Sequence, residues 1–234
     1  MSLALDARGL AIGGRLQATD LAVASPMLVC LVGPNGSGKT SLLHALAGIG
    51  KSEGDIRIEG APVARRPAAR RRQIAFLPAS RDVAWPLSGR DLVALGGGTA
   101  AQVARSLAMM GAEALAQRRV DLLSTGERSR LLIARALAPQ PKLLLLDEPA
   151  ANLDPAWQLR LMALLKRLPP AGQTVIAAMH DLDLAGTYAD RLLIMSEGRI
   201  AADGLPGALM NGPEIPAIFG IERAGGGWRL VQPA

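Results

Sequence analysis

The chain has 234 residues, half of them apolar but only 3% aromatic, with a formal net charge of +6. That length supports one large or two small packed units whose interior must be filled by Leu, Ala, Val and Ile, and the basic balance favours an anionic partner such as a nucleotide, a nucleic acid or a lipid surface. An internal disulfide is excluded by the single cysteine, Cys30; no apolar run reaches the ~18 residues needed to cross a bilayer and no N-terminal targeting signal is visible, so a soluble chain is expected, with any membrane role coming through a partner.

The first 25 residues alternate loosely, with turn signals at Gly13-Gly14 and Ser25-Pro26, and predict short antiparallel strands. Met27 to Val32 is continuously apolar between Pro26 and Gly33, which suits a strand buried on both faces, with Cys30 inside it. A glycine-rich loop follows, then a helical run "TSLLHALAG" stopped by Gly48. Strict alternation from Asp55 to Glu59 predicts a half-exposed strand, and "RQIAFLPAS" another that ends at Leu77-Pro78. Residues 82 to 119 turn rich in Ala, Leu, Arg and Met at helical spacing, broken by Gly96-Gly97-Gly98. Leu143 to Leu146 and Thr174 to Ala178 predict two more buried strands, and Arg191 to Met195 with Arg199 to Ala202 a hairpin around "SEG". Strands alternating with helices imply an α/β fold with a mostly parallel sheet. Within it, residues 82–139 are expected to form a helical subdomain inserted into a core of residues 1–81 and 140–234.

"GPNGSGKT", Gly33 to Thr40, fits the phosphate-binding pattern G-x-x-x-x-G-K-[ST] and lies between a predicted strand and a helix, the context that pattern needs. Its residues Gly33, Pro34, Asn35, Gly36, Ser37, Gly38, Lys39 and Thr40, with Ser41 next along, are the candidate nucleotide site. Backbone N–H groups curl around an anion and the helix N-terminus adds positive potential. Lys39 is placed to reach the β- and γ-phosphates of ATP, and the Thr40 hydroxyl to ligate Mg²⁺. "LLLLDEP" puts two acids at the end of a strand. Asp147 suits Mg²⁺ held through water, and Glu148 suits polarising the water that attacks the γ-phosphate. His180 ends another apolar strand. A lone histidine is more often structural than catalytic, but this position is shared with the other two sites and brings it within reach of the γ-phosphate. Ser124-Thr125-Gly126-Glu127 has capping-box spacing ahead of a helix running to Pro139. On its own the segment reads equally as a helix cap or as a second anion site.

Together these motifs resemble the ATP-binding subunits of ABC (ATP-binding cassette) transporters, over nearly the whole chain. The Walker A loop matches Gly33 to Thr40 and the Walker B strand with its acid Leu143 to Glu148. The LSGGQ-type signature matches Leu123 to Glu127, the D-loop Ala150 to Asp154, and the switch histidine His180. The resemblance implies a P-loop NTPase core with an N-terminal antiparallel β subdomain and an inserted α-helical subdomain. It also implies ATP and Mg²⁺ as ligands, and Lys39, Glu148 and His180 as catalytic residues. The implied partners are a second copy docked head to tail, so that each signature helix caps the other's ATP, then membrane permease subunits and a solute-binding protein acting through them. No nucleic acid is implied. The expected location is the cytoplasmic face of the inner membrane, held peripherally. Within the family, "FLPAS…WPLSGRDLVALG" and the C-terminal "PGALMNGPEIPAIFGIERAGGGWRLV" are most similar to importers of iron-siderophore, haem and cobalamin type.

The departures concern function directly. Ala79 stands where the family has a glutamine that touches Mg²⁺ and the lytic water, Thr125 replaces the first signature glycine, and no Phe, Trp or Tyr precedes Phe76 to stack on adenine. The arginines Arg65-Arg66 and Arg70 to Arg72 lack interleaved aromatics and read as a solvated face, or one near anionic lipid, rather than a nucleic-acid patch. Two further readings stay open here: a soluble ABC ATPase of iron–sulfur cluster assembly, and a nucleotide-binding module that hydrolyses poorly.

Overall fold

The computed structural model describes residues 3–64, 66–81 and 86–231. The expected start of the helical subdomain at 82, together with Trp85 and Arg65, lies outside them. In chain order the elements are strands β1 (Leu5–Ile12), β2 (Leu16–Val23) and β3 (Leu28–Val32), helix α1 (Lys39–Ala47), β4 (Glu53–Ile58), β5 (Ala61–Pro62), α2 (Pro67–Gln73) and β6 (Ile74–Leu77). Then come helices α3 (Gly89–Ala94), α4 (Ala100–Met109) and α5 (Thr125–Leu137), followed by β7 (Leu143–Asp147), α6 (Pro155–Leu165), β8 (Thr174–Ala178) and α7 (Leu182–Tyr188). The chain finishes with β9 (Arg191–Ser196), β10 (Arg199–Gly204), α8 (Pro206–Leu209), α9 (Glu214–Phe219), β11 (Ile221–Ala224) and β12 (Gly227–Leu230).

The central sheet has the order β10-β9-β3-β8-β7-β6, parallel except for the β9–β10 hairpin. Every residue of β3, β7 and β8 is buried. That is why these strands read as unbroken apolar runs: a parallel sheet is covered on both faces. The two-residue side-chain period divides β3 between two cores. Leu28, Cys30 and Val32 face one side with α5, α6 and the helices around them; Val29 and Leu31 face the other with Leu42, Leu43 and Leu46 of α1. The second core also takes Leu5, Leu10 and Leu21 from an antiparallel sheet of order β2-β1-β4-β5. Each fully buried leucine contributes roughly 1.5–3 kcal/mol of transfer free energy, so α1 is clamped between two sheets. Burial pushes the Cys30 thiol up to about 12, so it is an inert core residue, as expected from its apolar run.

Elements without a sequence expectation include β5, α2, α8, α9 and the hairpin β11–β12. Helix α2 has no buried residue, so there is no apolar stripe to reveal it. Pro67 in its first turn presets φ, and Arg70 to Arg72 lie in its last turn, where cations suit the helix dipole. Arg66, Arg71 and Arg72 are exposed, in keeping with a solvated face. Arg70 is half-buried and donates through Nη2 to the Ala47 carbonyl at the end of α1. Among the described residues, no helix is long and apolar enough to cross a membrane.

Candidate active site

The glycine-rich loop leaves the C-terminal end of β3, and Lys39 is the first residue of α1. Gly38 caps that helix at φ 101°, a left-handed conformation, and a Cβ there would sit 3.1 Å from Gly198 Cα. At Gly33 a Cβ would lie 2.4 Å from the Met195 carbonyl oxygen. Gly33 is therefore demanded by close backbone approach, and Gly38 by its left-handed backbone together with a tight contact. The β9–β10 turn braces the loop: Gly198 N–H donates to the Ser37 carbonyl at 3.0 Å, while Gln17 of β2 donates from its backbone to Gly198 and from its side chain to Glu197, both at 2.8 Å.

A cleft of about 580 Å³ opens over this loop, lined among others by Arg15, Asn35, Lys39, Ser41, Glu148 and Glu197. Lys39 is only 7% exposed and its Nζ donates to the Gly33 carbonyl at 2.7 Å and the Pro34 carbonyl at 3.1 Å. Burial lowers its pKa, with Glu148 and Asp147 opposing the shift. No aromatic ring lines the cleft among the described residues; one wall is Gly14 and Arg15 of the β1–β2 turn with Leu16 and Gln17 of β2.

Asp147, at the end of β7, is 1% exposed; its Oδ2 accepts from Thr40 Oγ1 at 2.8 Å, while Oδ1 is buried without a hydrogen-bond partner among the described residues. A buried carboxylate oxygen left unpaired beside a hydroxyl fits a hard, hydrated divalent cation completed by substrate phosphate. Burial holds the Asp147 carboxyl above the ordinary carboxylate range; the Thr40 hydrogen bond opposes this and nearby Glu148 reinforces it. Such an acid binds its proton more tightly folded than unfolded, so its ionisation penalises folding above the raised pKa. The penalty disappears as pH falls below the unfolded value. The melting temperature of Asp147→Asn minus that of wild type is therefore expected to be more positive at pH about 7.5 than at pH about 4. Nucleotide-free differential scanning fluorimetry checks this; a difference constant with pH, or larger in acid, contradicts it.

Glu148 follows directly and is held at φ 50°, a left-handed conformation that is strained for a glutamate. Its N–H donates to the Ala178 carbonyl of β8 at 3.0 Å, and its Oε1 lies 2.6 Å from His180 Nε2. His180 thus meets Glu148, the acid two strands' ends bring to it, rather than pointing alone toward the phosphate loop. Strand order explains the meeting, since β7 and β8 are neighbours and both end at this edge. Lys39, Thr40, Asp147, Glu148 and His180 are gathered at one edge of the sheet, where a phosphate chain, a cation and an attacking water can be handled together.

The segment Ser124 to Glu127 does not line this cleft. Ser124 is the N-cap of α5, and its hydroxyl accepts from Glu127 N–H while the Glu127 carboxylate accepts from Ser124 N–H at 2.9 Å. The bond from the Ser124 N–H, and after it one from the Ser124 hydroxyl to the same carboxylate, keep the Glu127 carboxyl below its ordinary range, and Arg118 pairs with it at 2.7 Å. A carboxylate therefore already occupies part of the positive helix terminus. Gly126 lies beside the turn after β7, where a Cβ would come 3.2 Å from the Asn152 carbonyl. In that turn Asp154 caps α6 by accepting from Trp157 N–H at 3.0 Å.

One residue that sequence reading passed over is Arg81. It is 6% exposed and its Nη2 donates to the carbonyls of Asp147 at 3.1 Å and Glu148 at 2.9 Å. Ala79, two residues earlier, is exposed. The available signal was a basic residue just past the missing glutamine, in a segment that leaves the strand next to β7.

A profile of the family described as ABC transporter matches residues 16–151, more than half of the chain. The chain belongs to the ABC transporter family. It is similar to the hemin import ATP-binding protein HmuV of Nocardia farcinica, at 37% identity over 93% of this chain and 83% of the relative. It is also similar to the petrobactin import ATP-binding protein FpuC of Bacillus anthracis, at 35% identity over 89% of this chain and 82% of the relative. Among solved structures, cbiO1 of Clostridium perfringens, part of an ABC transporter complex, superposes with a TM-score of 0.76 at 26% identity, covering 93% of this chain and 94% of that one. The fold expected from the motifs is thus the one found: a P-loop cassette with an antiparallel β subdomain and inserted helices. The cassette is the ATP-binding, ATP-hydrolysing subunit of an ABC transporter.

Proposed function

We propose that this cassette energises an importer of a chelated metal or cofactor, such as haem, an iron-siderophore complex or cobalamin, from the cytoplasmic face of the inner membrane. Two copies dock head to tail on permease subunits that receive solute from a binding protein. Residues 1–81 and 140–234 form the nucleotide-holding core, and residues 82–139 the helical part that meets the permease. The import reading is supported by near full-length likeness to import subunits for hemin and petrobactin.

In this reading the backbone of Gly33 to Ser41 cradles the phosphates and Lys39 neutralises them. Thr40 and Asp147 would hold Mg²⁺, which, when bound, offsets charge on the β- and γ-phosphates. Glu148 accepts the proton of the attacking water, and His180, bonded to the Glu148 carboxylate, fixes its rotamer beside the γ-phosphate. The observation that carries the hydrolytic assignment is the 2.6 Å His180–Glu148 contact at the edge of the phosphate-loop cleft. The second copy supplies the signature helix, since Ser124 to Glu127 lie outside their own chain's cleft.

The test is affinity purification of the tagged chain from detergent-solubilised membranes of its native host, followed by ATPase assay. Co-purification of a polytopic membrane subunit whose presence raises turnover is expected. A cassette recovered wholly with soluble partners would overturn the transporter assignment.

A further inference from the structure

Glu148 is fixed at three points on its neighbours. Its N–H is bound to β8 through Ala178, its carboxylate to His180, and its carbonyl to the Ala151 N–H at 3.3 Å and, more closely, to Arg81 at 2.9 Å. Only the last comes from the segment after β6, where Ala79 offers no polar group. A left-handed glutamate costs about 1–3 kcal/mol and persists only where surrounding contacts over-determine it. A guanidinium that donates to two successive carbonyls, Asp147 and Glu148, supplies such a contact at the turn itself. Charge-assisted hydrogen bonds of this kind are roughly twice as strong as neutral ones, and Arg81 is buried, so water does not readily replace them.

We propose that Arg81 is a positioning residue: by holding the Asp147 and Glu148 carbonyls it aims the Glu148 carboxylate, so that the segment after β6 governs hydrolysis through the backbone of the acid rather than through a side-chain amide. The proposal rests on the reading of Glu148 as the group that activates water. Arg81 does not line the phosphate-loop cleft and acts through the backbone of Glu148.

The experiment is a double-mutant cycle on the purified cassette, with kcat and KM for ATP measured for Arg81→Met, Arg81→Lys, Glu148→Gln and each Arg81 variant combined with Glu148→Gln. Arg81→Met is expected to lower kcat roughly 10-fold or more with KM within about 3-fold of wild type, and Arg81→Lys to recover part of the loss through one carbonyl. In the Glu148→Gln background Arg81→Met should cause no further loss, because both act on the same step. Nucleotide binding by fluorescence titration identifies folded protein; if Arg81→Met does not fold, the Arg81→Lys pair completes the cycle. A wild-type kcat, a raised KM at constant kcat, or the same fold-loss in both backgrounds would overturn the proposal while Glu148→Gln stays inactive. Wild-type turnover in Glu148→Gln alone would instead sink the reading of Glu148, and the proposal with it.

Discussion

Glu148→Gln is expected to lower ATP turnover by roughly 10²–10⁴-fold, the usual contribution of a positioned general base, and to convert the chain in ATP into a stable dimer. Glutamine has the same length and can still meet His180 Nε2, so the pocket beside Glu148 keeps its shape; what it loses is an oxygen able to take a proton from water. Binding and chemistry are thereby separated. Lys39, Thr40 and Asp147 are untouched and nucleotide still binds, but the composite site stays charged with ATP because the reaction that reopens it is blocked. Steady-state phosphate release and light scattering with ATP, set against ADP, test the two halves of the claim. Normal turnover would remove Glu148 from the base role. Lost turnover without an ATP-dependent dimer would leave the base role standing and sink the head-to-tail arrangement.

What could be read from the sequence was whatever local chemistry demands. β3 had to be apolar throughout because both its faces are covered, and α1 had to start after a glycine that tolerates a φ of 101°. The capping box at Ser124 and Glu127 was equally plain, being complete within four residues. Elements stabilised by partners distant in sequence were not legible. "PAARRRQ" carries no apolar stripe to reveal its helix, since none of its residues is buried and one arginine is anchored on the end of α1. The burial of Arg81 depends on carbonyls 66 and 67 positions away, and the seating of His180 on Glu148 depends on two strands pairing in one register. Ala79 advertised a missing contact in the sequence. Only the fold identifies the residue two positions later that reaches the catalytic edge by another route, through the Asp147 and Glu148 carbonyls.

Lys39→Ala is expected to weaken ATP binding by about 100-fold while leaving the nucleotide-free protein close to wild-type stability. Hydrogen bonds to charged groups contribute roughly 1.5–3 kcal/mol each, and Lys39 is the ammonium that α1 presents at the phosphate loop. Without nucleotide it bridges the Gly33 and Pro34 carbonyls. Losing those two bonds is partly offset by removing an ammonium whose burial already lowers its pKa. The contrast is sharpest in a ligand-induced thermal shift. At ATP near 100 times the wild-type Kd, binding stabilises the fold by about 2.7 kcal/mol, whereas a 100-fold weaker variant under the same conditions gains only about 0.4 kcal/mol. For a chain of this size 1 kcal/mol moves the midpoint roughly 2–4 °C. Wild type should therefore rise by about 5–10 °C with ATP and Lys39→Ala by no more than ~2 °C. An equal rise in both would mean that the phosphates are held by the loop's N–H groups alone and that the lysine acts after binding.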